Sequence, residues 1–257
     1  MTAATRALWK RRLQYRSRRV RYWRGRGNIP KVNKWLRLFH AAQDKLNPPQ
    51  KRERVHGIDV SGHNRRVDWQ QVKASGVDFA FCKTSEGEDW RDKSWSRERV
   101  DAMRAAGVRV GVYHFLRPRE GRSGAVEARW FMEQAFAAGW GQRGDLLPVI
   151  DFEATDLPPL ATVVYLRQVV REIKRVLEAA PIIYTGGPFW KEATRDSPHN
   201  YGCPLWLAAY VKDPKPYVPR AWHRTGWTIW QYSDKGKISG VSSDNVDRNV
   251  AVRLPTI

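Results

Sequence analysis

The chain has 257 residues, room for one large domain or for one domain with an appendage. Its 42% apolar fraction excludes wholesale disorder, and no stretch approaches the ~20 continuous apolar residues of a membrane span. The formal charge of +20 is unevenly spread: 17 of the 46 Lys and Arg lie in residues 1–54, against only Asp44 and Glu53. No apolar h-region follows the basic N-terminus, so no signal peptide is expected. Cys82 and Cys203 form neither a metal pattern nor a disulfide framework and read as buried thiols.

In chain order, the first predicted element is a helix from about Thr5 to Trp23. Trp9, Leu13, Val20 and Trp23 fall near one face and arginines fill the rest. GRGNIP, residues 25–30, breaks it, and Pro30 suits the first turn of a second helix. Val32, Trp35, Leu36, Phe39 and Leu46 make the apolar stripe of that helix. Residues 1–46 are therefore expected to form a basic amphipathic helical arm, either a small helical hairpin or a segment that orders on binding. Residues 47–54, NPPQKRER, are expected to form a linker, and residues 55–257 a separate domain.

The domain alternates strand and helix signals. Strands are predicted at 55–61, 77–84, 108–115, 146–154, 180–186, 204–210 and 225–233. Helices are predicted around Ser94–Ala106, Gly124–Ala138 and Ala161–Ala179. This rhythm implies parallel β/α units, and about eight strands in some 200 residues suggest an α/β fold. The expected architecture is an irregular, TIM-barrel-like (β/α) barrel. Its later crossovers look too short for full helices.

The strand LLPVIDFEA, residues 146–154, carries Asp151 and Glu153. Alternation puts both on one face, together with Val149. Two carboxylates a pleat apart repel, which raises the pKa of at least one and keeps an acid protonated near neutral pH. In barrels, chemistry gathers where strands end. Other predicted strand ends carry Asp59, Lys83, Glu86, Tyr113, His114, Tyr184, Trp206 and Tyr210, and Asp247 lies near the C-terminus. Singly, each has a structural explanation. His114 reads as a satisfied core histidine, and for Trp206 core packing and sugar stacking stand level. Together, acids and aromatics on one rim fit carbohydrate cleavage. There is no P-loop, dinucleotide fingerprint, HExxH or G-x-S-x-G. The six histidines lack metal-ligand spacing.

GIDVSGHNRRVDWQQVKASGVDFAFCKTSEG, GVYHF, LPVIDFE, PIIYTG, LWLAAY, WQYS and NVDRN stand in the order seen in glycoside hydrolase family 25. These are the Chalaropsis-type lysozymes of bacteria, fungi and phages, and the resemblance spans about residues 55–254. DLLPVIDFE lacks the D-x-x-D-x-D-x-E spacing of the family 18 chitinases. The resemblance implies cleavage of the β-1,4 bond between N-acetylmuramic acid and N-acetylglucosamine in peptidoglycan. It implies Glu153 as general acid, and Asp151 as a partner that orients the substrate's N-acetyl group in a substrate-assisted, net-retaining reaction. Asp59 and Asp247 match the family's two other acids, and Tyr184 a tyrosine that lines the site. Tyr113, Lys83, Trp206 and Tyr210 are candidate wall residues. No cofactor and no metal is implied, and a monomer is expected. One departure is SGHN after GIDV, where the family often has an aromatic or His followed by Gln.

The resemblance does not cover the arm. Its arginines, interleaved with Trp and Tyr, suit an anionic wall polymer or a membrane surface. The charge is confined to the arm, and rim acids would repel phosphate, so no specific nucleic-acid partner is expected. A wall hydrolase without a signal peptide suggests a phage endolysin, held in the host cytoplasm before lysis and then acting on the cell wall. The alternatives are a bacterial wall-remodelling muramidase and a catalytically inactive glycan-binding protein on the same fold.

Overall fold

Strict alternation of side chains governs the larger of two compact units, Arg54–Ile257. The computed structural model describes residues 3–26, seven positions between 30 and 42, and residues 54–257. Nine strands are described: β1 (Val55–Val60), β2 (Phe79–Glu86), β3 (Trp90–Arg91), β4 (Arg109–Phe115), β5 (Val149–Asp151), β6 (Ile182–Gly186), β7 (Leu205–Ala208), β8 (Ile229–Gly236) and β9 (Val246–Ala251). They form one sheet in the order β1-β9-β8-β7-β6-β5-β4-β2-β3, and a β1–β2 pairing closes it into an eight-stranded barrel with β3 outside.

Most neighbours are parallel, as the β/α rhythm predicts. Outside the barrel β3 runs antiparallel to β2; within it the exception is β9, which runs antiparallel to both β8 and β1. It falls beyond the last predicted strand and needs no crossover helix, because an antiparallel neighbour can be reached by a tight connection. The central strand is also shorter than the predicted 146–154. Pro148 has no N–H to give to the ladder, and only Val149–Asp151 remain as strand.

The alternation builds two apolar layers. Phe79, Phe81, Val149, Ile182, Trp206, Ile229 and Ala251 fill the barrel interior. Ala80, Cys82, Val110, Val112, Ile150, Phe152, Ile183, Leu205 and Leu207 face outward into the layer covered by helices. A Cβ on Gly57 would lie 2.3 Å from the Phe79 ring, and one on Gly111 2.3 Å from the Phe81 ring. These glycines of β1 and β4 make room for the two large rings of β2 between them.

The covering helices are α2 (Trp69–Ala74), α3 (Arg97–Ala105), α4 (Gly124–Ala137), α5 (Pro159–Leu177) and α6 (Gly187–Thr194). Asp68 caps α2 by accepting from the Gln70 and Gln71 amides, and Ser96 caps α3 by accepting from the Arg99 amide. After β6 only the eight-residue α6 follows, and after β7 only two single-turn 3-10 segments. This matches the expectation of short late crossovers. Cys82 and Cys203 are free and buried, and burial raises their thiols to about 11 and about 12.

The smaller unit, Met1–Glu53, contains α1 (Ala3–Arg24). Val20 is buried and Trp9 and Trp23 are half-buried, whereas Leu8, Tyr15 and Tyr22 are exposed. Arginines stack on its aromatics: Arg12 over Trp9 at 4.7 Å and Arg26 over Tyr22 at 3.9 Å. The described positions between 30 and 42 are helical, with Trp35 and Phe39 half-buried. Val32, Leu36 and Leu46 of the expected second helix lie outside the described residues, as do linker residues 47–53 and the side chain of Leu13. Among the described residues no helix is long and apolar enough to cross a membrane.

Candidate active site

Inward-facing positions at one end of the barrel are polar. Counting along each strand, the interior apolar residues give way to Asp59 on β1, Lys83 on β2, Tyr113 on β4, Asp151 on β5, Tyr184 on β6 and Gln231 on β8. All these strands are parallel, so their C-terminal ends share one rim. Because β9 runs the other way, its N-terminal end brings Asp247 to the same rim, directly opposite Asp59. The result is a cleft of about 320 Å³ that contains nine of the eleven residues noted from the sequence, Asp59, Lys83, Tyr113, Asp151, Glu153, Tyr184, Trp206, Tyr210 and Asp247, but not Glu86 or His114. Four further residues line it: Ser61, His63, Phe115 and Gln231.

Asp151 ends its strand, and Glu153 lies just beyond. The chain stays in register there, because the Phe152 amide donates to the Tyr184 carbonyl and the Leu116 amide donates to the Asp151 carbonyl. Phe152 is therefore still turned outward to Phe189 and Trp190, and Glu153 is turned into the cleft with Asp151. A bulge between Lys83 and Ser85 does similar work on β2. Lys83 is the last inward residue, whereas Ser85 is sent outward to bond His114 Nδ1 at 2.9 Å. His114 Nε2 meets Glu127 at 3.0 Å, and its ring stacks on Phe131. It is thus a satisfied core histidine, as read from the sequence.

A hydrogen-bond network fixes the floor. Gln231 Nε2 and Asn249 Nδ2 donate to the same Asp59 oxygen, at 3.0 and 2.7 Å. The Gln231 carbonyl oxygen accepts from the hydroxyls of Tyr184, at 2.9 Å, and Tyr210, at 2.8 Å. Trp206 Nε1 donates to Asn249 Oδ1 at 2.9 Å. Trp206 is only 2% exposed and packs against Phe81 and Tyr184. Its indole is part of the floor more than a stacking platform, whereas Tyr210, 52% exposed, stands at the mouth. Lys83 bonds Glu86 at 2.6 Å, with its ammonium over Trp90 and Phe115.

All four acids are pushed toward the neutral form. Burial is the largest cause for Asp59, which lies well above its usual range, with Asp247 next. Burial, then Glu153, raises Asp151 in the same way. Glu153 is reached by solvent but sits in a concave wall of protein. Burial and then Asp247 raise it, while Lys83 and Arg117 oppose the shift. One oxygen of Asp151, Oδ1, is buried without a hydrogen-bond partner. Such an atom is costly unless something else satisfies it.

The family model for glycosyl hydrolases family 25 matches residues 58–241, which takes in most of the barrel. The chain belongs to glycosyl hydrolase family 25. It is similar to lysozyme M1 of Streptomyces globisporus, 32% identical over 204 residues that cover 76% of this chain and 67% of the relative. It is 30% identical to an N,O-diacetylmuramidase of Chalaropsis sp. over 192 residues, covering 70% of this chain and 88% of that one. Among solved structures, a bacterial lysozyme from Streptomyces coelicolor superposes with a TM-score of 0.67 and 30% identity, over 76% of this chain and 90% of that chain. A family GH25 lysozyme from Aspergillus fumigatus gives 0.67 and 29%, over 77% and 93%.

This family 25 glycoside hydrolase has residues in and beneath the cleft that sequence reasoning did not single out. Gln231 was visible only as part of WQYS, and Asn249 as part of NVDRN. Nothing in their spacing marks them as the amides that grip Asp59. The unusual SGHN stretch forms a single 3-10 turn, in which Ser61 Oγ accepts from the His63 amide and Asn64 Oδ1 accepts from the Ser61 amide. That turn sets His63, which is exposed, on the cleft wall. Among the described residues no group of three or more His, Cys, Asp or Glu is arranged to hold a metal ion.

Proposed function

We propose that this enzyme is a muramidase that cleaves the β-1,4 bond between N-acetylmuramic acid and N-acetylglucosamine in peptidoglycan, with Glu153 as the general acid. One observation carries the assignment of roles. Glu153 is solvent-reachable and held toward its protonated form, while its neighbour Asp151 is buried with an unpartnered oxygen. The first is what proton donation to a glycosidic oxygen needs. The second is an acceptor awaiting a donor, and the N–H of the substrate's 2-acetamido group supplies one.

In this scheme Asp151 accepts from the acetamido N–H and aims the acetyl oxygen at the anomeric carbon. That oxygen forms the new bond as the glycosidic bond breaks, and Glu153 gives its proton to the departing sugar oxygen. Water then attacks the anomeric carbon from the vacated face and passes its proton to Glu153, which restores the acid. Two inversions give net retention, without an enzyme nucleophile. Asp59 and Asp247 complete the acidic floor of the cleft beneath the sugar, and Tyr184, Tyr113, Lys83 and Tyr210 shape the walls.

Purified peptidoglycan digested by the enzyme, reduced and analysed by mass spectrometry, should show new reducing ends on N-acetylmuramic acid. Glu153→Gln should lower the rate by roughly 10²–10⁴-fold with the fold intact. New ends on N-acetylglucosamine, or full activity in Glu153→Gln, would overturn the assignment. The expected endolysin role has its own test: enzyme made inside a bacterium should lyse the culture only after the inner membrane is permeabilised, and only with Glu153 present.

A further inference from the structure

Beside the catalytic cleft lies a second hollow of about 270 Å³, lined by the Glu86–Trp90 turn and by Arg117, Arg119 and Arg122 of the β4–α4 loop. The two spaces meet across one ion-pair chain. Glu86 takes Lys83 on one carboxylate oxygen at 2.6 Å and Arg117 on the other at 2.7 Å. Arg117 also stacks on Phe115, which lines the catalytic cleft, at 4.3 Å. A substrate polymer lying in the cleft would extend toward this hollow, because Phe115 lines the cleft and carries Arg117 of the hollow on its ring.

The hollow has equal numbers of acids and arginines, but they are not equally available. The Glu86 and Glu88 side chains are only 25% and 14% exposed. Glu88 is consumed internally by Arg122 and by the Ser123 amide. The guanidiniums of Arg117, Arg119 and Arg122 keep 37%, 55% and 49% of their side chains exposed. Among the described residues Arg119 is paired with Asp156, itself 72% exposed, at 3.2 Å. Such a surface pair is worth little and is readily exchanged. Asp89 is the one acid of the hollow that stays exposed. The exposed indole of Trp90 supplies an apolar wall, 46% accessible. A planar guanidinium suits a carboxylate through paired N–H donors.

We propose that this hollow binds the peptide stem carried by the muramyl residue, with Arg119 and Arg117 receiving its carboxylates and Trp90 packing against its backbone. The proposal rests on the muramidase reading and adds to it a determinant outside the glycan. The site makes the enzyme prefer strands whose stems are present and acidic.

The test compares three soluble substrates: glycan strands with intact stems, the same strands with stem carboxylates converted to amides, and strands stripped of stems by an amidase. The wild-type enzyme should show a KM several-fold lower for intact stems than for either of the others, with similar kcat. Arg119→Ala should raise KM about tenfold on intact stems and leave the stripped strands unchanged, and the wild-type preference should shrink with added salt. Equal KM for all three substrates would overturn the proposal and leave the muramidase reading standing. So would an equal loss in Arg119→Ala on all three. Trp90→Ala that weakens stripped strands as much as intact ones would assign the hollow to a sugar ring instead. Failure of the wild-type enzyme to cleave any of them would overturn the parent reading and this one together.

Discussion

Gln231 joins three groups with one amide: its N–H binds Asp59 and its oxygen takes the Tyr184 and Tyr210 hydroxyls, all while 2% exposed. Gln231→Leu keeps the bulk and removes every partner. It should cost about 1–3 kcal/mol for the polar groups left unpaired, measured by denaturant titration, and should lower kcat by more than it changes KM. The acids make a second residue-scale case. Asp59, Asp151, Glu153 and Asp247 all bind protons more tightly in the folded chain than their usual ranges. The stability this gives is fully present below the ordinary carboxylate range and is lost as pH rises through the raised values. The melting temperature should therefore be higher near pH 5 than near pH 8. Asp151→Asn should raise it, more at pH 8 than at pH 5, while removing activity. A protein whose melting temperature climbs with pH across that window would contradict the shifts. Asp151 and Glu153 were legible in the sequence because period-two alternation needs no tertiary knowledge. Gln231 and Asn249 were not, because a strand amide looks the same whether it faces water or a buried carboxylate.

At the scale of elements, the interior of the barrel is set by large residues on one strand opposite none on the next. β2 places Phe79 and Phe81 inward, and β1 and β4 answer with Gly57 and Gly111. Gly111→Ala should destabilise by about 1–3 kcal/mol, because the ring that must move is enclosed on all sides. A calorimetric melt of the variant checks this, and an unchanged melting temperature would mean that the Phe81 ring can yield. Helices α3, α4 and α5 were legible from apolar periodicity, to within two or three residues at each end. The three-residue β5 was read as nine, since an apolar run does not reveal where Pro148 interrupts the ladder. The two-residue β3 and the antiparallel β9 were missed. The first is too short to carry a pattern, and the second, VDRNVA, hides its inward acid and amide among residues that read as a polar loop.

For the whole molecule, charge is divided between two units, with the basic surplus on the arm and the acids on the barrel rim. We infer that the arm concentrates the enzyme on anionic wall polymers or membrane lipids. Supporting this are the exposed Leu8, Tyr15 and Tyr22 on α1 and the arginines around them. Removing residues 1–50 should leave activity on soluble glycan unchanged and lower activity on whole cells, most at low salt, where screening is weakest. Equal activity on cells at every ionic strength, with and without the arm, would show that it takes no part in targeting. The barrel was legible as a class from the alternation of elements. The arm was legible only as composition and helical periodicity, because no motif says what a run of arginines meets.

Strand β9 has a bearing on how the enzyme comes into being. Asp247 and Asn249 reach Asp59 only when the end of the barrel returns to its beginning, across some 190 residues of chain. Contacts so distant in sequence form late. A chain that lacks this strand has an open sheet, no Asp247 in the acid cluster, and only Gln231 left to hold Asp59. Truncation before Val246 should therefore leave the sheet unclosed and abolish cleavage of soluble glycan, however complete the rest of the acid cluster.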